Sequence, residues 1–417
     1  MSSAPAGWKT ERLKSRVRFA YGDSLAAVDR SDGDIPVFGS NGVVGTHDQA
    51  ITVGNTVIIG RKGSFGKVAW SESPCFPIDT TYFVDRTQTW ENLRWLYYAL
   101  ENLQLDTVNF DSAVPGLSRE GAYALRVSFP PRPEQEYIAA YLDASCATID
   151  AAVAAKRRQI ETLDALRRST ITRAVTRGLA PGVRLKASGE QWLGDIPAHW
   201  SAPCLKRLLR EPLTYGLNEA AELEDRDLPR YLRITDFDDS GALREDTFRS
   251  LPHEIAREAL LETNDVLFAR SGATVGKTFM FRDYDGEACF AGYLIRARTM
   301  PWKLSPSFLY LFTKSTAYQA WKNLIFTQAT IQNISATKYN YLAIPLPPLP
   351  EQHTICEFVE HKNAEFRRLS AQIERQVETL AAYRKSLIHE CVTGQRRVTK
   401  EDVRRAVQSL PAGSTGP

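Results

Sequence analysis

The sequence is poor in cysteine and contains no long apolar run. Its 417 residues include six cysteines, which are scattered and form no C-x-x-C pair. This spacing argues for single buried thiols in a reducing cytoplasm, and against a disulfide framework or a cysteine-based zinc site. No apolar run approaches the roughly 18–20 residues that a transmembrane helix needs, and the N-terminus has no apolar signal core. We therefore expect a cytoplasmic protein without a membrane partner.

The sequence also lacks the short motifs of common catalytic sites. It has no N-P-P-[YF] or D-P-P-Y tetrapeptide of amino-methyltransferases, no H-E-x-x-H and no G-x-S-x-G. The stretch GATVGKT at 272–278 is one residue shorter than a P-loop, and no apolar strand bearing an aspartate follows it as a magnesium partner. The chain is therefore not expected to be an enzyme, and we expect neither a metal nor a cofactor.

What the sequence does contain is a long internal repeat. PPRPEQ at 130–135 returns as PPLPEQ at 347–352, and 11 of the 19 residues at 158–176 are identical to those at 375–393. The openings also match, since Trp8 and Trp200 lie 192 positions apart, against 217 for the proline clusters. A repeat of this length is a duplicated module rather than a solenoid. The second module is longer by 25 residues in the part that precedes its proline cluster.

Each module is predicted to be a mixed α/β domain followed by a long helix. Short β-branched runs between glycine turns indicate strands, and a helix is predicted from 91 to 103. The proline clusters end each α/β part, because proline cannot continue a strand and disfavours helix in the residue before it. Apolar residues then occupy heptad a and d positions at Ile149, Val153, Ile160 and Leu163, and again at Phe366, Ile373, Val377, Leu380 and Leu387. We expect the two helices to pair as an antiparallel coiled coil.

Two loops rich in glycine and cations are the candidate binding sites. They read RKGSFGK at 61–67 and RSGATVGK at 270–277. Glycine lets backbone N–H groups approach phosphates, and arginine or lysine supplies phosphate charge or a bidentate contact to guanine. An ordinary hairpin with exposed cations is the alternative. The amide-rich segment 328–335 also has two interpretations, because asparagine and glutamine can either read adenine or cap turns and helices. The predicted DNA-binding residues are Asn41, Arg61, Lys62, Ser64, Lys67, Arg270, Ser271, Thr274, Lys277 and Gln328.

Several stretches, in this order and twice over, resemble the specificity (S) subunit of type I DNA restriction–modification enzymes. The stretches are PLPPLPEQ at 345–352, IQNIS at 331–335, WLGDIPAHW at 192–200, YLRITD at 231–236 and PVFGSNG at 36–42. The resemblance covers about residues 8–395. The first module departs from the pattern, since PGLS at 115–118 replaces the Gln-Asn-Ile-Ser type of string. An amide contact is therefore in doubt there.

The resemblance implies an α+β fold with an internal pseudo-two-fold repeat. Two mixed α/β target recognition domains would alternate with two long helices that pair as an antiparallel coiled coil. The implied boundaries are 1–132 for the first recognition domain, 133–178 for the first helix, 179–199 for a linker, 200–349 for the second recognition domain and 350–395 for the second helix. The tail 396–417 has no counterpart and is expected to be disordered.

The resemblance also implies partners. Each recognition domain would read one half of a split site in double-stranded DNA, and the helices would set the unread gap. Two methyltransferase (M) subunits would dock on the helices, with the matched positions Arg158, Leu163, Arg167, Arg375, Leu380 and Arg384 as expected contacts. The methyl donor and the adenine chemistry would belong to those subunits, and ATP-driven cleavage to restriction (R) subunits.

Two other functions remain open on the sequence. A stand-alone nuclease or fused methyltransferase is disfavoured by the missing tetrapeptide and by the lack of a clustered Asp/Glu/Lys site. Incubating the purified chain with S-adenosylmethionine and DNA would test it. A coiled-coil scaffold that binds proteins but not DNA explains the helices, but it does not explain two elaborated α/β domains with cationic loops.

Overall fold

The chain divides into two units, each with its own hydrophobic core. The computed structural model describes residues 5–107, 116–220, 222–238, 241–272, 274–327 and 333–410. The first unit combines 1–158 with 373–417, and the second is the continuous stretch 159–372. Each unit therefore contains one α/β domain and one part of each long helix.

The first unit is built on two sheets and a two-stranded ribbon. Its elements are β1 (Lys9–Arg12), β2 (Ala20–Tyr21), β3 (Ile35–Gly39), β4 (Gly42–His47), β5 (Thr56–Gly60), β6 (Val68–Ser71), β7 (Phe76–Pro77), β8 (Thr81–Val84), α1 (Leu93–Asn102), α2 (Arg119–Ala124), β9 (Arg126–Phe129) and the start of α3 (Arg132–Arg177). One sheet has the order β2-β8-β5-β6, and all its neighbours are antiparallel. The other has the order β4-β3-β7, with β3 parallel to β7. β1 pairs with β9. The helix predicted from 91 to 103 is confirmed as α1.

The second unit repeats this strand order. Its elements are β10 (Leu185–Ala187), β11 (Asp195–Pro197), β12 (Thr214–Tyr215), β13 (Arg230–Leu232), α4 (His253–Ala256), β14 (Val266–Ala269), β15 (Thr278–Met280), β16 (Ala288–Phe290), β17 (Leu294–Ala297), α5 (Pro306–Phe312), α6 (Thr316–Thr327), α7 (Ala336–Asn340) and the start of α8 (Leu349–Val392). The four-stranded sheet has the order β12-β17-β14-β15, and β13 is parallel to β16. The strands that form the two four-stranded sheets therefore occur in the same chain order in both units.

The two units differ most in one connection. Sixteen residues separate β3 from β5, and strand β4 lies among them. The corresponding connection from β13 to β14 has 33 residues and contains α4 with three short 3-10 turns. Most of the extra length that the sequence predicted in the second module lies here. The buried strands that flank the connection are alike, so the change is confined to its path.

Both ends of the long helices are part of the unit cores. In the first unit, Ile138 and Leu142 of α3 share a buried cluster with Leu387 and Cys391 of α8. In the second unit, Ile171 and Val175 of α3 share a cluster with Ile355 and Val359 of α8. Because the start of one helix meets the end of the other in each unit, the helix segments within a unit belong to one core. That core fixes the helix ends on the sheets.

The Pro-Glu-Gln motif joins each α/β domain to its helix. The amide oxygen of Gln352 is fully buried and accepts from the backbone N–H of Ser305, 2.8 Å away, at the start of α5. Its amide nitrogen donates to the carbonyls of Lys303 and Pro347 at 2.8 and 2.9 Å. A buried amide with three partners is strongly specified, because each partner would otherwise be unsatisfied.

The glutamine of the first unit makes the corresponding set of hydrogen bonds. The amide oxygen of Gln135 accepts from the N–H of Asn92 at 2.7 Å, and its nitrogen donates to Glu91 and to the Pro130 carbonyl. The preceding glutamates act as a second tie. Glu134 accepts from the indole N–H of Trp8 at 2.7 Å. Glu351 accepts in the same way from Trp200 at 3.1 Å. The motif therefore fastens each helix to its own domain.

Two predicted segments have more structure than expected. The segment 179–199, predicted as a linker, contains the hairpin β10–β11, whose Ile196 packs in the second core beside Leu193. The tail predicted to be disordered forms α9 (Lys400–Gln408). The prediction was wrong for residues 400–408, because Thr399 and Asp402 form a capping box and Val398 is buried in the first core. Residues 411–417 lie outside the described part.

One helix in the described part of the chain is long and apolar enough to cross a membrane by length and composition alone. It is α3. The sequence had not indicated such a span. The property is a weak indication, since core helices of soluble proteins share it. The apolar residues Ile138, Leu142 and Ile149 of α3 are buried in the first core.

Candidate nucleic-acid interface

The first cationic loop, 61–67, is the turn of the hairpin β5–β6. The N–H of Gly60 donates to the carbonyl of Lys67 at 2.8 Å, and that of Gly66 donates to Gly60 at 2.9 Å. Gly66 has a φ of +77°, and a Cβ there would lie 2.1 Å from the backbone nitrogen of Asp106. Only glycine fits this close approach. The hairpin turn is thereby held against the backbone that follows α1.

All five predicted residues of the first unit lie on or beside this turn. The ammonium of Lys67 donates to the side-chain oxygen of Asn41 at 2.6 Å, so the structure brings these two predicted residues together. Lys62 is exposed, and Ser64 is half-buried. The contact with Asn41 ties the 61–67 turn to the β3–β4 turn. Cations and an amide are thus presented on one edge of the first unit.

Arg61 is held by hydrogen bonds from both its backbone and its side chain. Its N–H donates to the carbonyl of Thr80 at 2.8 Å, and its own carbonyl accepts from the N–H of Leu117 at 2.9 Å. Its side-chain Nε donates to the Asp79 carbonyl at 3.1 Å. Both sides of its backbone are therefore fixed by neighbouring segments. Leu117 is buried and is followed by the helix cap Ser118.

The second cationic loop, 270–277, repeats these bonds. The N–H of Arg270 donates to the carbonyl of Tyr293 at 3.0 Å, and the Arg270 carbonyl accepts from Ile334 at 2.9 Å. The N–H of Gly276 donates to Ala269 at 2.7 Å, as Gly66 does to Gly60. Ile334 is buried and precedes the helix cap Ser335. In both units, therefore, the apolar residue bonds the turn arginine and the serine after it caps the next helix.

The geometry of the second loop differs from that of a P-loop. A P-loop leads into a helix, whose N-terminal N–H groups then face the phosphate. Residues 270–277 instead connect strands β14 and β15. Gly272 and Gly276 have φ values of +78° and +77° and serve the hairpin turn. The loop therefore lacks the helix that nucleotide binding of that kind needs.

Comparison with known proteins decides the family. The model of the type I restriction modification DNA specificity domain matches residues 5–162 and 251–379, more than half of the chain. The chain belongs to this family. It is 24% identical to the type I restriction enzyme EcoBI specificity subunit of Escherichia coli over 338 residues, which are 78% of this chain and 69% of that protein. It is 21% identical to the EcoDI specificity subunit of the same organism over 416 residues, 94% of this chain and 89% of that protein.

A solved structure supports the fold of this specificity-domain protein. It is described as "Structural basis underlying complex assembly and conformational transition of the type I R-M system". The match has a TM-score of 0.70 at 13% sequence identity, and covers 95% of this chain and 100% of that chain. At this identity the likeness establishes the fold.

The helix positions predicted as partner contacts of this specificity protein differ in their surroundings. Arg384 is engaged within the first unit, where it donates to Glu101 of α1 at 2.7 Å and lies 3.4 Å from Asp150 of α3. Leu163 and Leu380 are half-buried. The three remaining arginines are exposed: Arg158, Arg167 and Arg375. The role of these positions stays a prediction.

The second unit concentrates positive charge where the first has the Glu101–Arg384 pair. Although Lys314 is exposed as a whole residue, its ammonium donates to the Thr278 carbonyl at 2.8 Å and lies 4.3 Å from the Tyr310 ring centre. Burial of the ammonium, and then the nearby cations Lys277 and Arg167, lower the pKa of Lys314 to about 8. Burial therefore contributes most to this lowered pKa, and the two neighbouring cations add to it.

Sequence reasoning missed three side chains at the two turns. Tyr21 lies against Arg61 and Tyr215 against Arg270, while Arg119 lies over the Tyr21 ring. No local motif marks them, because the contacts join segments that are distant in sequence. Of the predicted residues, Ser271 and Thr274 belong to the 270–277 turn, with Ser271 bridged to Asn333. Gln328 lies outside the described residues.

Proposed function

We propose that this chain reads a bipartite site in double-stranded DNA, one half with each unit. The observation that carries the proposal is the arginine turn, which occurs twice with the same backbone bonds on sheets of the same strand order. A turn that recurs in this way while its sequence changes from RKGSFGK to RSGATVGK fits one binding mode with two different targets. The family to which the chain belongs is one of DNA specificity domains.

We infer that the long helices pair as an antiparallel coiled coil and set the unread gap. The helices have 46 and 44 residues, about 69 and 66 Å at 1.5 Å per residue. Arg384 of α8 contacts Asp150 of α3. The predicted a and d residues support the pairing, since each of them is buried or half-buried: Ile149, Val153, Ile160, Leu163, Phe366, Ile373, Val377, Leu380 and Leu387.

The proposed partners are those that the resemblance to type I specificity subunits implies. Two M subunits would dock on the helices, whose sequences are the best preserved part of the repeat, and R subunits would join that complex. Methyl transfer and ATP-driven cleavage would be carried by those subunits in the cytoplasm. The chain itself would be non-catalytic, and it would position the partners on DNA without a cofactor of its own and without a membrane.

The deciding experiment is co-expression of the chain with the methyltransferase encoded beside it, followed by single-molecule mapping of methylated adenines. We expect a split motif with a fixed gap that is lost when this chain is omitted. Methylation that is absent, or that does not depend on this chain, would contradict the proposal and favour a scaffold that does not bind DNA.

A salt titration tests the role of the cationic turns. Replacing the exposed Lys62 by alanine in the complex is expected to weaken binding to every duplex alike. The slope of log affinity against log salt should fall by about one, because one phosphate contact releases about one counterion. Lys400→Ala, an exposed lysine on α9 of the same unit, is the matched control and should leave the slope unchanged. An unchanged slope for Lys62→Ala would remove this lysine from the DNA contact.

A further inference from the structure

A tyrosine lies under the turn arginine of the first unit. The guanidinium carbon of Arg61 is 5.3 Å from the ring centre of Tyr21, which belongs to the edge strand β2. Tyr21 as a whole residue is 49% exposed. Among the described residues, the only hydrogen bond of the Arg61 side chain is that of Nε to Asp79. The two terminal nitrogens are therefore left available for a ligand.

The second unit has the same pair at the corresponding place. The guanidinium carbon of Arg270 is 4.6 Å from the ring centre of Tyr215, on the edge strand β12. The Tyr215 hydroxyl accepts from the N–H of Ala336 at 2.9 Å, and Tyr215 as a whole residue is 42% exposed. Nε of Arg270 is buried without a hydrogen-bond partner in the described part of the chain. Among the described residues, the contact of the guanidinium is with the Tyr215 ring.

The environment of each pair leaves little freedom to the arginine. The backbone of each arginine is bonded on both sides, as described above, so only the side chain can move. Stacking on an aromatic face restricts that side chain while leaving the guanidinium fork open. A fork held in this way loses little conformational entropy when it makes a bidentate contact to guanine.

We propose that Tyr21 and Tyr215 are positioning residues that hold Arg61 and Arg270 for reading one guanine in each half-site. This inference rests on the proposed function. It goes beyond it by assigning base discrimination to an aromatic–arginine pair in each unit. In the first unit Arg119 also lies over Tyr21, 4.9 Å from its ring centre. Replacing Tyr21 would therefore disturb two cations, so Tyr215 gives the cleaner test.

The test uses the complex of the chain with its methyltransferase, and duplexes that carry each single-base change in the second half-site. Arg270→Ala is expected to relax discrimination at one base pair by roughly 5- to 150-fold. Tyr215→Leu should relax the same base pair, and the double variant should add little. Tyr215→Phe keeps the ring face and should retain discrimination. Discrimination in the first half-site should stay unchanged in all variants.

Several outcomes would overturn the inference. The inference is wrong if Tyr215→Leu relaxes a different base pair, weakens binding to all sequences equally, or leaves discrimination intact. Tyr215→Phe as defective as Tyr215→Leu would assign the effect to the hydroxyl bond with Ala336. Arg270→Ala without any effect on discrimination would exclude base reading by this arginine. The Tyr21 series tests the first half-site independently if the Tyr215→Leu chain does not fold. If the unaltered complex does not methylate DNA sequence-specifically, the proposed function itself is refuted.

Discussion

Adding seven residues to each long helix is expected to lengthen the unread gap by about three base pairs and to leave both half-sites unchanged. The insertions belong after Arg158 in α3 and after Gln372 in α8, where the chain passes from one unit to the other. Seven residues add about 10 Å and continue the heptad, so the seam stays in phase. Three base pairs also turn the second half-site by about a quarter turn, which should weaken methylation overall. Mapping of methylated adenines measures the gap directly.

Two controls show whether a changed gap comes from helix length or from a general loss of folding or activity. Seven residues inserted after Gly189, an exposed position in the hairpin region between the helices, should leave the gap unchanged. Seven residues in α3 alone should place the seams out of alignment and abolish methylation rather than shift the gap. A folded double-insertion chain that still methylates with the original gap would show that the helices do not set it.

The sequence predicted the two long helices well because the features that mark them are local. The Pro-Glu-Gln motif marks the start of α3 and of α8, and the heptad positions follow it along one helix. Helix and strand periodicities of this kind need no knowledge of the distant chain. Prolines in the first turn and apolar residues at fixed spacing act through neighbours a few residues away.

The pairs at the candidate site could not be predicted in the same way. Tyr21 and Arg61 are 40 residues apart, and Tyr215 and Arg270 are 55 apart. Each pair meets only because an edge strand and the hairpin that carries the arginine belong to one sheet, with the order β2-β8-β5-β6 or its counterpart in the second unit. Strand order is a tertiary property. The arginines were found from the turn, but their aromatic partners required the sheet.

The tail 396–417 shows the opposite error: a local helix signal was present, but the composition of the whole segment led to a prediction of disorder. The terminal Pro, Ala, Gly and Ser residues suggested disorder for the whole segment 396–417. Thr399 and Asp402 have the spacing of a capping box, and Val398 and Val403 are the apolar residues that such a helix packs inward. Composition averaged over the tail concealed a nine-residue helix.

The second large effect is expected from Gln352→Ala. The substitution leaves the Ser305 N–H and the carbonyls of Lys303 and Pro347 without their partner in a buried site. Each orphaned group costs about 1–3 kcal/mol, and water entering the space left by the amide recovers part of it. We expect the free energy of opening at the start of α5 to fall by about 3 kcal/mol, which is about a hundredfold loss of amide-exchange protection for residues 309–312, whose N–H groups are the ones bonded within the helix.

The mirror variant makes this prediction specific to each unit. Gln135→Ala should lower amide-exchange protection over α1 and leave that of α5 unchanged, because Gln135 is bonded to the start of α1 and Gln352 to the start of α5. Gln372→Ala, an exposed glutamine on α8, should change neither. Equal losses in both units after either substitution would mean that the units unfold together. If each loss stays in its own unit, Gln352→Ala should weaken reading of the second half-site while the first is still read, since the turn arginine and the buried amide are parts of one cooperative domain.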